Sequence, residues 1–108
     1  MADKPESARS GVAINAVDGR HAEVVLTGDI DALLLRDLEA RLVDPRLKTA
    51  EHWRLDLRGV TRIDLACAYA LLRAVTGHSG TAAVLGPRRA VLRTLRHTGL
   101  DRAARIEE

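Results

Sequence analysis

Apolar residues alternate with polar ones along some stretches of this chain and recur every three or four residues along others. The two periods divide it into strands and helices. Val12 and Ile14 alternate with polar neighbours over 11–17 and predict a first strand. Ala22, Val24 and Leu26 predict a second over 22–27, and the Asp18-Gly19 pair between them predicts a hairpin turn. Gly28 is expected to end that strand. Leu34, Leu35, Leu38 and Leu42 then recur at helical spacing behind Asp31, a favourable N-cap, and Pro45 marks the end of the helix. Trp53, Leu55 and Leu57 alternate with Arg54, Asp56 and Arg58 in a third strand.

A second helix starts near Asp64, with Ala68, Leu71, Leu72 and Val75 as its core-facing stripe, and Gly77, Ser79 and Gly80 form its exit loop. Thr81 to Leu85 is small or apolar throughout, as in a buried parallel strand. Gly86-Pro87 opens a third helix with Pro87 at its first position and Val91, Leu92 and Leu95 facing inward. Gly99 is its C-terminal cap and Leu100 the accompanying apolar contact. Ala103 to Glu107 can add a last short strand through Ile106. Strands that alternate with helices after one hairpin imply an α/β domain with a mixed, mostly parallel sheet of four to five strands under three to four helices.

The 108 residues suit one domain, over 11–108, preceded by a polar arm over 1–10 that is expected to be disordered. Hydrophobic residues make up 46% of the chain but aromatics only 2%, so Leu, Val, Ile and Ala must build the core. So few aromatic rings argue against stacking on single-stranded nucleic acid, and a net charge of +2 is not a nucleic-acid signature. The charge is uneven. Gly86 to Leu100 carries four Arg and no acid, whereas Asp29 to Asp44 carries five acids and two Arg. One cysteine, Cys67, supports neither a disulfide framework nor a zinc site within a single chain, which fits a cytoplasmic setting. No hydrophobic leader or membrane-spanning run is visible, so direct membrane insertion is not expected.

Three segments carry a family resemblance. Leu26-Thr27-Gly28-Asp29-Ile30-Asp31 looks like "L-x-G-E-L-D", Leu55-Asp56-Leu57-Arg58-Gly59-Val60-Thr61-Arg62-Ile63-Asp64 looks like "L-D-L-S-x-V-x-x-x-D", and Leu85-Gly86-Pro87 through His97-Thr98-Gly99-Leu100 is similar to a last helix ending in "x-x-G-L". In order and spacing they resemble the STAS domains of sulphate transporters and anti-sigma-factor antagonists. The resemblance implies a non-enzymatic protein-interaction module that docks partners through the Gly28–Asp31 loop and the start of the Asp64 helix. In the antagonist branch that helix begins "D-S-S-G-L", and a partner kinase that is itself the anti-sigma factor phosphorylates the second Ser. Here it begins Asp64-Leu65-Ala66-Cys67-Ala68, so the acceptor position falls on Ala66, which has no hydroxyl.

The candidate partner-binding residues are therefore Asp29, Asp31, Asp64, Ala66, Tyr69 and Arg73. Ala66, Tyr69, Ala70 and Arg73 share the face opposite the core stripe, and Tyr and Arg are enriched in interface hot spots. Asp29 and Asp31 have no His or third carboxylate nearby in sequence, so an N-cap and a solvated acid are the plainer reading than catalysis. Asp64 reads as the N-cap of its helix. Cys67 sits where a helix dipole can lower a thiol pKa, but a small, partly buried residue is the simpler account. Thr61 is an alternative phosphate acceptor and Thr76 another. The four histidines show no ligand spacing, so no metal or cofactor is expected. Arg88, Arg89, Arg93 and Arg96 make a basic helix, read first as a solvated face. The expected partner is an anti-sigma factor or serine-kinase-type protein, with a lipid-transporter ATPase as the alternative. The exposed apolar helix face permits a homodimer.

Overall fold

The computed structural model describes residues 10–108. The arm expected over 1–10 lies outside the described residues except for Ser10, whose Oγ accepts a hydrogen bond from the Asp29 N–H at 2.9 Å. Five strands form one sheet in the order β1 (Gly11–Ala16), β2 (His21–Ile30), β3 (His52–Ile63), β4 (Thr81–Leu85) and β5 (Arg105–Glu107). The β1–β2 pair is the antiparallel hairpin that Asp18-Gly19 predicted, and the other three pairs are parallel. Asp18 closes the turn by accepting from the Arg20 and His21 N–H groups at 2.7 and 2.9 Å.

Between the strands lie a 3-10 turn (Ala32–Leu34), α1 (Leu35–Leu42), α2 (Pro45–Thr49), α3 (Leu65–Thr76), α4 (Arg89–Thr98) and α5 (Leu100–Ala103). Each parallel strand lies beside its predecessor, and right-handed crossovers between such neighbours put every helix on the same face. The core sits between that face and the helices. Val12, Ile14, Val24, Leu26, Leu55 and Val84 meet Leu38, Leu71, Val91 and Leu95 there, all buried. The opposite face of the sheet carries Glu23, Arg54 and Arg58.

Several boundaries depart from the sequence reading. Pro45 does not merely stop α1. It opens α2, where its missing N–H costs nothing, and Asp44 caps that helix by accepting from the Arg46 N–H at 2.8 Å. α2 earns its place through Leu47, which is fully buried and whose carbonyl accepts from the Trp53 indole N–H at 2.9 Å. Pro87 precedes α4, which starts at Arg89 with Arg88 as N-cap. Gly99 does adopt the left-handed conformation that ends α4 (φ 91°), and Leu100 behind it is fully buried.

The main departure is the length of β2 and β3. β2 runs through Gly28 to Ile30, and β3 continues five residues past Arg58. Val25 faces Asp56 but Thr27 faces Gly59, and Gly28 faces Val60 but Asp29 faces Arg62. β3 thus holds one extra residue at each of two bulges. The bulges break the alternation of buried and exposed side chains, which hid this half of the strand from a period-two reading. Asp56, expected on the polar outer side, is 8% exposed and is held by Arg58, whose Nε and Nη2 donate to it at 3.0 and 2.9 Å.

Candidate docking site

The two bulged strand ends deliver β2 and β3 together at one end of the sheet. The Asp64 N–H donates to the Ile30 carbonyl at 2.8 Å, which extends the β2–β3 pairing to the first residue before α3. Asp31 leaves β2 and turns the chain: its Oδ1 accepts from the Leu33 N–H at 3.0 Å and caps the 3-10 turn. Asp64 leaves β3 and caps α3, accepting from the Leu65 N–H at 3.0 Å. Both acids are N-caps, as their positions predicted. The alanines at 66, 68, 70 and 74 then favour the helix they enter.

Asp29 and Asp31, and Asp64 some thirty residues on, line one depression of about 340 Å³ with Ala32, Leu33, Arg62 and Ile63. Beside it three large apolar side chains stand in solvent: Leu33 is 90% exposed, Leu65 40% and Tyr69 37%. Ala66 is exposed one residue beyond Leu65. Arg73, two turns along α3 from Ala66, is exposed and donates to Glu39 of α1 at 3.2 Å. The structure therefore brings Asp29, Asp31, Asp64, Ala66, Tyr69 and Arg73 to one end and outer face of the α1–α3 layer. Ala70 is the exception. It is 3% exposed, because α1 packs on that side of α3, so it belongs to the core with Cys67, Ala68, Leu71 and Val75. Leu72 is only half-buried.

Sequence reasoning missed Leu33 and Arg62 as members of this surface. Leu33 falls outside the 34-38-42 stripe, and that misfit is the signal that could have found it. Arg62 lies on the second bulge, past the point where the strand pattern stops.

Cys67 is fully buried, and its Sγ–H donates to the Asp31 carbonyl at 3.2 Å. Burial, followed by the negative charges of Asp64, Asp31 and Glu39, pushes the thiol pKa up to about 11. The helix dipole does not win here, and a nucleophilic thiolate is disfavoured. What Cys67 does instead is tie the 3-10 turn to α3. Thr61 is exposed on the second bulge. Thr76 stands at the far end of α3, where its hydroxyl donates to the Arg73 carbonyl at 3.1 Å.

A wider hollow of about 1000 Å³ opens at the opposite end of the sheet, lined in part by His21, His52, Arg54 and Arg105. His21 and His52, scattered in sequence, have ring centroids 4.9 Å apart, and His78 stacks on Trp53 at 4.1 Å. Each histidine there already has a local partner: Asp18 for His21 at 3.0 Å and Thr81 for His52 at 2.7 Å. Among the described residues no group of three His, Cys, Asp or Glu is placed to hold a metal ion.

A mostly parallel sheet with its helices on one face, and carboxylates gathered at the strand ends, define a small α/β domain. The chain belongs to the STAS family: the family described as "Mlab, STAS domain" matches residues 15–107. A comparison with curated proteins finds no match. Among solved structures it is similar to an anti-sigma factor antagonist from Mycobacterium paratuberculosis, with 19% identity, 93% of this chain and 86% of that chain covered, and a TM-score of 0.78. It is also similar to the anti-sigma factor antagonist SpoIIAA in its unphosphorylated form, with 13% identity, 91% and 89% covered, and a TM-score of 0.71. At these identities the likeness is one of fold. Among the described residues no helix is long and apolar enough to cross a membrane.

Proposed function

We propose that this chain is a regulatory protein-interaction module, not an enzyme, that binds an anti-sigma-factor or serine-kinase-type protein without a serine phosphoswitch. The observation that carries the reading is the exposed apolar patch of Leu33, Leu65 and Tyr69 beside Asp29, Asp31, Asp64, Arg62 and Arg73. An apolar centre with a charged rim is the anatomy of a protein interface. Leu33 is the most exposed large apolar side chain among the described residues, ahead of Val17 and Val43, and it lines the depression that holds the three carboxylates.

Ala66 stands exposed where the antagonist branch carries its acceptor serine, and it offers no oxygen to a phosphate donor. Docking here is then constitutive with respect to that site. The same property supports one second reading: a subunit that remains bound to the ATPase of a transport complex through the same surface. Affinity capture with the intact chain, followed by mass spectrometry, tests both. Recovery of a kinase-type anti-sigma factor that depends on Leu33 and Tyr69 supports the first reading. Recovery of a transporter ATPase with the same dependence supports the second. Capture unaffected by Leu33→Asp together with Tyr69→Ala removes this surface from either. Incubation of the captured kinase with ATP is expected to leave the chain unmodified. Phosphate on Thr61 would overturn the constitutive account.

A further inference from the structure

Arg88, Arg89, Arg93 and Arg96 lie along α4 and Arg102 follows on α5, all exposed. Six other arginines pair with acids: Arg20 with Glu51, Arg41 with Asp37, Arg46 with Asp44, Arg58 with Asp56, Arg73 with Glu39 and Arg105 with Glu107. Among the described residues the five on α4 and α5 have no such partner. Arg36, Arg54 and Arg62 also lack one, but they are dispersed over α1, the open sheet face and the bulge.

Two of these cations sit against local helix physics, whereas Arg96, in the last turn, sits where the dipole favours a cation. Arg88 is the N-cap and Arg89 opens the first turn, at the positive end of the dipole, with no acid in that turn and no side-chain cap. A feature that works against its own helix is best accounted for by what it meets outside the molecule. Arg89, Arg93 and Arg96 form a line about 10 Å long on one face. Guanidinium forks at that spacing suit an array of phosphates.

Shape decides among phosphate arrays. The inner side of α4 is committed to the core through Val91 and Leu95, and α3 and α5 flank it. It is one rib of a helix layer, not a ridge free to enter a duplex groove. Neither aromatic residue with a large ring system, Trp53 or Tyr69, lies on it to stack a base. A flat anionic surface is met by such a face without insertion.

We propose that the outer face of α4, extended by Arg102, is a peripheral electrostatic contact for an anionic phospholipid surface. The contact is independent of the Leu33–Tyr69 docking patch. Each arginine near such a surface strengthens partitioning about fivefold. The test is co-sedimentation of the intact chain with vesicles of phosphatidylcholine alone and of phosphatidylcholine mixed with phosphatidylglycerol. Retention is expected on the mixed vesicles only, and it is expected to fall steeply as salt is raised. The variant Arg89→Glu/Arg93→Glu/Arg96→Glu, with unchanged circular dichroism, should lose retention by 100-fold or more, on the order of fivefold per arginine removed plus repulsion from the new acids. Arg36→Glu, on the dispersed set, serves as the control and should retain most binding. No retention on mixed vesicles, equal retention on neutral ones, or an unaltered triple variant would overturn the proposal. So would tighter retention of duplex DNA than of mixed vesicles at the same salt.

Discussion

Single side chains decide what this strand-to-helix junction can do. Asp64 is a cap, and Asp64→Ala should lower stability by about 1 kcal/mol in a urea titration. Cys67 is a small, buried donor to the Asp31 carbonyl. Its thiol should resist alkylation in the native protein at neutral pH and react only on unfolding. Because its folded pKa is raised to about 11, the stability it contributes is complete below the unfolded value of about 8.5 and is lost as pH rises toward 11. Cys67→Ser keeps a donor to the Asp31 carbonyl and is expected to keep partner binding. Ala66 is the simplest case. The position is exposed at a helix start, so Ala66→Ser supplies the missing hydroxyl with little strain. With a kinase-type partner and ATP the variant should take up phosphate where the native chain does not, as intact mass would show.

At the scale of elements, what the sequence made legible follows from period and punctuation. The hairpin, the α3 stripe apart from half-buried Leu72, and the Gly99 cap each rest on local chemistry and are where that chemistry predicts. β4 stands where expected but is not the buried strand expected, since only Val84 of it is buried. β3 beyond Arg58 is not legible in this way, because two bulges destroy its period and only pairing with β2 shows it to be a strand. α2 was hidden because five residues are too few to display a helical period, and its stability comes from Leu47 in the core. The docking site was legible in part. The caps Asp31 and Asp64 announce themselves, but Leu33 carries only the weaker signal of an apolar residue off the 34-38-42 stripe, on the side of exposed Asp37 and Arg41. Gly80 belongs to this scale too. A Cβ there would run into the Glu51 carbonyl, which also accepts from the Thr81 N–H at 2.9 Å as β4 begins. Gly80→Ala should therefore destabilise by about 1–3 kcal/mol in thermal or denaturant unfolding, while an alanine at the solvent-facing Gly19 should not meet any such contact.

For the whole molecule, charge is organised by region, with acids at the β2–β3 ends, arginines along α4, and the Arg58–Asp56 pair on β3. Arg58 holds the Asp56 carboxyl below its usual range, and Arg46 lowers Asp44 to about 2. The unfolded chain takes up those protons first, so stability should be complete above about pH 5 and decline as pH falls through about 4 toward 2. Asp56→Asn should lower stability at neutral pH and flatten that acid limb in pH-dependent unfolding. The fold itself puts every helix on one face and so gathers the apolar patch, its carboxylates and Arg73 on a single outer surface. The central claim is that this surface, not the larger hollow by His21 and His52, receives the partner. Titration calorimetry of the captured partner against the native chain and Leu33→Asp/Tyr69→Ala tests it most directly. The account predicts that the double variant folds as the native chain does and loses at least about 100-fold in affinity, as expected of two central hot-spot residues. Equal affinity of the two proteins would contradict it.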